Sequence, residues 1–308
     1  MSEIKEIASG LRFPEGPIAM ADGSVILVEI ARGTLSRVQP NGDIEVIASP
    51  GGGPNGAAIG PDGKCYICNN GGFDWFEKDG LLYPGAAGDD YEGGRIERID
   101  LATGEVEVVY TECDGEPLKG PNDIVFDAQG GFWFTDHGKF RKRVEDRTGV
   151  FYATIDGQHI SEQIFPLHSP NGIGLSADEN WVYTVETPTA RVYGFQLEAP
   201  GKIIKGRGEA PWMHGKLIAT VPGYAMLDSL ALDCEGNICV GTIMTGGISI
   251  VSPKDGSVRL VEMPDMMTTN ICFGGANLKT AFVTLSSSGR LVATEWERPG
   301  LPLNFLNK

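Results

Sequence analysis

The stretch NDIVFDAQGGFWFTD, residues 122–136, decides the fold. It opens on a carboxamide, runs through a short apolar segment, reaches Gln129-Gly130 and leaves through a second segment rich in aromatics. Two β-prone runs separated by a polar-glycine pair read as an antiparallel hairpin, because such a pair supplies the positive φ angles of a tight turn.

Outward from this stretch the same pattern recurs. Residues 15–23 (EGPIAMADG), 55–63 (NGAAIGPDG), 171–179 (NGIGLSADE), 228–236 (DSLALDCEG) and 270–278 (NICFGGANL) each begin with an acid or amide and carry Asp, Glu, Asn or Gln at offset seven. The lead residues are spaced by 40, 67, 49, 57 and 42 residues. Each unit continues into a second strand, and most into further ones, such as RIERIDL and EVEVVY. Four strands per unit and this spacing predict a six-bladed β-propeller of four-stranded antiparallel blades. The last unit is short of a strand, and KEIASGL (residues 5–11) is expected to supply it and close the ring. The whole of 1–308 is read as a single propeller domain, with loop insertions near 71–94 and 199–215 where the spacing is long. The aromatics Phe73, Trp75, Phe76 and Tyr83 make the first insertion a candidate lid or wall, with packing on a neighbouring blade as the alternative.

The composition fits a globular enzyme or scaffold. The net charge of −16 disfavours nucleic acid and anionic membranes as partners. The N-terminus has no signal-peptide core, so a cytoplasmic protein with reduced thiols is expected. Cys65 and Cys68 form a C-x-x-C within the strand-like KCYIC. Residues three apart on a strand face opposite sides, so the pair is expected to be inert.

In a propeller the first strand of each blade lines the central channel. Equal repeat offsets then place Glu15, Asn55, Asn122, Asn171, Asp228 and Asn270 in one ring. Single Asn or Asp residues commonly cap turns. A complete ring of acids and amides points instead to a cation, because close carboxylates repel unless protonated or bridged. Oxygen-only donors suit a hard divalent ion such as calcium or magnesium.

The stretches FPEGPIAMADGSVILVEI, GPNDIVFDAQGGFWFTD, SPNGIGLSADENWVYTVET and LDSLALDCEGNICVGT resemble the SMP-30/gluconolactonase/regucalcin family. The resemblance implies a six-bladed propeller that hydrolyses a small, sugar-type lactone with one divalent cation: calcium first, with magnesium, manganese, zinc or iron as alternatives. It carries the metal ligands onto Glu15, Asn171 and Asp228, places Asn122 near metal and substrate, and makes Asp228 the candidate base. His137, Asn55 and Asn270 join Asn122 as candidate substrate contacts on position alone. Leu227-Asp228-Ser229 departs from the family's usual P-D-G. His159, His168 and His214 follow no ligand spacing. The rival readings are a phosphotriesterase-like metal hydrolase on the same frame and a non-catalytic binding scaffold.

Overall fold

The computed structural model describes residues 3–208, 210 and 214–308. Six antiparallel blades follow one another around a central channel, with three two-stranded hairpins beside them, and the described residues contain no helix. Blade 1 runs from its inner strand outward as Pro14–Ala19, Val25–Glu29, Thr34–Val38 and Ile44–Ala48. Blade 2 is Pro54–Ile59, Cys65–Asn69, Arg95–Ile99 and Val106–Tyr110. Blade 3 is Pro121–Phe126, Gly131–Asp136, Thr148–Thr154 and Ile160–Leu167. Blade 4 is Pro170–Leu175, Trp181–Glu186, Arg191–Ala199 and Lys216–Thr220, and blade 5 is Met226–Leu232, Ile238–Ile243, Gly247–Val251 and Val258–Glu262. Blade 6 takes Thr268–Gly274, Thr280–Leu285 and Arg290–Glu295 from the end of the chain and Lys5–Ala8 from its beginning. The ring closes as its missing strand required.

Every repeat unit forms the expected hairpin, and the turn is stereotyped. The residue at offset eight is left-handed in all units: Gly23, Gly63, Gly130 and Gly236, but also Glu179 at φ 54° and Leu278 at φ 55°. The polar residue before it accepts a backbone N–H two residues on, as Asp22 does from Ser24 and Asn277 from Lys279. This local bond lets non-glycine residues hold a conformation that costs them roughly 1–2 kcal/mol.

The core lies between blades. The second strands of blades 1, 2, 3 and 5 are buried along their whole length. Period-2 alternation sends successive side chains into opposite interfaces. Cys65 packs with blade 1 and Cys68 with blade 3, so the two thiols diverge as expected. Burial pushes the Cys65 thiol up to about 12 and raises that of Cys68 as well.

The two insertions differ from loops. Within 71–94, Trp75–Lys78 and Leu81–Pro84 pair as a hairpin. In the second, Lys202–Ile203 doubles back on Arg191–Ala199, while residues 209 and 211–213 lie outside the described set. The C-terminal segment also has a defined place. It crosses the channel end that carries the hairpin turns, where the Leu301 amide donates to the Leu232 carbonyl (2.8 Å) and Asn304 Nδ2 donates to the carbonyl of Phe126 (3.1 Å) and to Glu179 Oε1 (2.7 Å). Beneath it lies a largely apolar cavity of about 220 Å³.

Of the six cysteines only Cys234 is exposed. A maleimide is therefore expected to label one thiol per native chain and all six after denaturation. Mass mapping that finds Cys65 or Cys68 labelled in folded protein would overturn the packing described.

Candidate active site

The lead residues occupy equivalent places at the opposite end of the channel. Glu15, Asn55, Asn122 and Asn171 are second in their inner strands, and Asp228 and Asn270 are third. A β-bulge falls at this point in all blades, for example between Glu15 and Ile18 and between Leu227 and Leu230. A bulge re-aims side chains that regular pleating would send into an interface.

The strands must also converge closely. Glycine follows the lead residue in blades 1, 2 and 4. A Cβ on Gly16 would stand 2.5 Å from the Asn55 carbonyl oxygen, and one on Gly172 would stand 2.6 Å from the Leu230 amide nitrogen. The N-G pair thus serves strand approach around the axis rather than a turn.

Five ring residues are buried, and Asp228 keeps part of its surface open. Asn270 Nδ2 donates to Glu15 Oε2 at 2.7 Å, and the Gly16 amide donates to the same oxygen at 2.8 Å. Asn171 Nδ2 donates to Thr187 Oγ1 at 3.1 Å. The Ser229 hydroxyl donates to Asn171 Oδ1 at 3.5 Å. Within the ring, two buried oxygens have no partner among the described residues: Glu15 Oε1 and Asn122 Oδ1. Burial raises the proton affinity of both Glu15 and Asp228, and for Asp228 repulsion from Glu15 adds to it.

One member was not recognised in the sequence. Asp123 stands where blades 1, 2 and 4 have glycine, and that substitution was the available signal. It is buried and accepts from the amides of Ile124 (3.0 Å) and Ile173 (3.3 Å). Desolvation and the Glu15 charge push its carboxyl up to about 7. Three acids thus crowd the channel. Among the described residues no group of three or more His, Cys, Asp and Glu has metal-ligand spacing. The ring's donors are instead a mixture of carboxylates and carboxamides, and its partnerless oxygens are of the type that hard divalent cations take.

His137 lies on the same face, in the connection between the second and third strands of blade 3. Its Nδ1 is 3.4 Å from the Gly138 carbonyl oxygen, and burial lowers its pKa to about 4, so the ring is neutral at neutral pH. Arg95 is held by Glu97 (2.6 Å) and the Pro50 carbonyl (3.1 Å). His159 is exposed, and His214 Nδ1 accepts the Gly206 amide at 3.0 Å.

The insertion arches over this face as a strap. At its root the buried Lys139 donates to Asn70 Oδ1 (3.0 Å) and the Gly72 carbonyl (2.6 Å), with Nζ 3.7 Å from the Phe73 ring centroid. Desolvation lowers the pKa of Lys139 to about 7. At its tip Leu82 exchanges hydrogen bonds with Ser287 of blade 6, at 2.9 and 2.7 Å. Of the two alternatives drawn from its sequence, these contacts show the packing on neighbouring blades.

Such a fold and ring define a propeller with a polar, acid-bearing site at one end of its channel. The chain belongs to the SMP-30/gluconolactonase/LRE-like family, whose conserved region matches residues 13–287. A gluconolactonase of Zymomonas mobilis subsp. mobilis is 24% identical over 321 residues, covering 95% of this chain and 81% of that protein. A lactonase drp35 of Staphylococcus haemolyticus is 29% identical over 191 residues, 61% of this chain and 54% of the other. The solved structure of a calcium-binding protein, regucalcin, from Agrobacterium tumefaciens superposes with a TM-score of 0.77 at 18% identity, covering 100% of this chain and 98% of that one. That last likeness is one of fold.

A carboxyl whose pKa is raised on folding binds its proton more tightly in the native state, so its stabilising effect is lost as pH rises through the folded value. With divalent ions chelated, Tm is expected to fall between pH 4 and 7, the window between the ordinary Asp value of 3.8 and the value of about 7 for Asp123. Asp123→Asn should flatten that fall in thermal melts across the range. An unchanged slope would mean that Asp123 does not carry it.

Proposed function

We propose that the protein hydrolyses a small lactone to its hydroxy acid with one divalent cation held by the ring. The observation that carries this reading is the pair of buried, partnerless oxygens, Glu15 Oε1 and Asn122 Oδ1, beside the acids Asp228 and Asp123. The relatives named gluconolactonase and lactonase support the reaction class, and the regucalcin neighbour supports calcium as the first choice of ion.

Glu15, Asn122, Asn171 and Asp228 would hold the cation. Two carboxylates match its charge, and two carboxamides add donors without adding charge. When bound, a divalent ion polarises an ester carbonyl and makes water more acidic. The chain's own part is positioning and proton transfer. Asn270 and the Gly16 amide fix one oxygen of Glu15 and leave the other free. Thr187 orients the Asn171 carboxamide so that its oxygen turns away from the amide nitrogen's partner. Asp228, the one ring residue with exposed surface, can reach a water beside the lactone, take up its proton as the water oxygen bonds to the carbonyl carbon, and return that proton to the ring oxygen as the ester C–O bond breaks. His137 and Asn55, on the same face, remain candidate substrate contacts, with His137 as a neutral donor or acceptor.

Elemental analysis is expected to find close to one divalent ion per chain after dialysis against calcium, and lactones should acidify a weakly buffered assay only when it is present. Asp228→Asn should lower turnover by about 100-fold or more, the weight of a positioned acid–base group, and weaken the ion's hold. Asn55→Ala should do less. Full turnover in metal-loaded Asp228→Asn would remove Asp228 from the mechanism, and intact folded protein that binds no divalent ion would remove the cation.

A further inference from the structure

The mouth above the ring has two unlike sides. On the arc of blades 5, 6 and 1, Met226, Met267 and Phe13 stand two or three residues ahead of Asp228, Asn270 and Glu15, at or just before the start of those inner strands. They join one apolar cluster with Leu82 and Trp75 of the strap, in which Phe13, Leu82 and Met267 are buried and Trp75 and Met226 keep part of their surface open. Trp75 stacks at a tilt on Phe13, with ring centroids 5.0 Å apart. This cluster is separate from the six that fill the blade interfaces, and it sits on the site face instead. Several polar groups around it are engaged elsewhere. Lys139 donates to Asn70 and Gly72, Arg12 pairs with Glu77 at 3.0 Å, and the Tyr83 hydroxyl reaches Met266 Sδ at 3.7 Å. The opposite arc, with His137 and Asn70, is polar.

A polyhydroxylated ring set against such a wall would lose water from its hydroxyls and find few donors or acceptors in exchange, which disfavours binding. An alkyl substituent would gain there what the hydroxyls lose. We propose that the strap makes the site selective for lactones carrying an apolar substituent, with Trp75 and Met226 as specificity-determining residues, over the sugar-type lactones that the family resemblance implies. The inference rests on the lactonase reading above and goes beyond it in naming the substrate class.

The test uses the full-length, calcium-loaded protein. Values of kcat/KM are measured for δ-valerolactone, for δ-lactones with lengthening alkyl chains at the ring carbon bearing oxygen, and for glucono-δ-lactone. The expected result is a rise of about fourfold for each of the first methylenes added, the gain for taking one methylene out of water, with glucono-δ-lactone below the alkyl members. Trp75→Ala and, independently, Met226→Gln should flatten the chain-length dependence. The second variant guards against a strap that fails to fold in the first. Measurable hydrolysis with a flat or falling chain-length dependence, or with glucono-δ-lactone as the best substrate, would overturn this inference and leave the lactonase reading standing. No hydrolysis of any member by metal-loaded protein would overturn both.

Discussion

The structure is organised around three carboxyl groups crowded at one end of a narrow channel, two of them buried and the third, Asp228, partly open. Glu15, Asp123 and Asp228 face one another from blades 1, 3 and 5, and each has its proton affinity raised by burial. Burying charged groups without compensation costs several kcal/mol per ion, so the crowding must be offset by protons or by a cation. The backbone does part of this for Asp123, through the amides of Ile124 and Ile173. It does less for Glu15, whose second oxygen faces no donor. The fold supplies the rigidity that keeps the three together, because each inner strand is gripped by the apolar interfaces on both sides.

The propeller was legible in the sequence because it is written six times. A turn pair at offset seven and eight and a β-prone run on either side are local signals, and the left-handed residue at offset eight shows why they persist even as Glu179 and Leu278. The ring followed from the same register, since equal offsets on equivalent strands meet at one height. The meaning of N-G was less accessible. Next to the lead residue it reads as a turn signal, yet Gly172 is required by a backbone 2.6 Å from where its Cβ would lie, on a strand 58 residues further along.

What the sequence concealed depends on distant partners. Asp123 resembles a strand residue until blade 4 is brought beside it. The strap resembles a loop because its hairpin is short and glycine-flanked, and its order comes from Ser287, Phe13 and Lys139, none adjacent in sequence. The C-terminal segment carries no periodicity at all, and its place is set by carbonyls of blades 3 and 5 left free at the turn end of the channel.

The hydrogen bond between Asn270 and Glu15 joins residues 255 positions apart, and the strand Lys5–Ala8 pairs with Arg290–Glu295 across a comparable span. Contacts of such long range form late and slowly, since the chain must close its largest loop to make them. On the ribosome, the first ring residue therefore waits for almost the entire polypeptide to emerge before its neighbour exists. A partly synthesised chain can stack its early blades, but it has no completed centre. The ring of polar residues is thus completed close to the final seal of the propeller, so an incomplete product lacks both a closed edge and a finished centre.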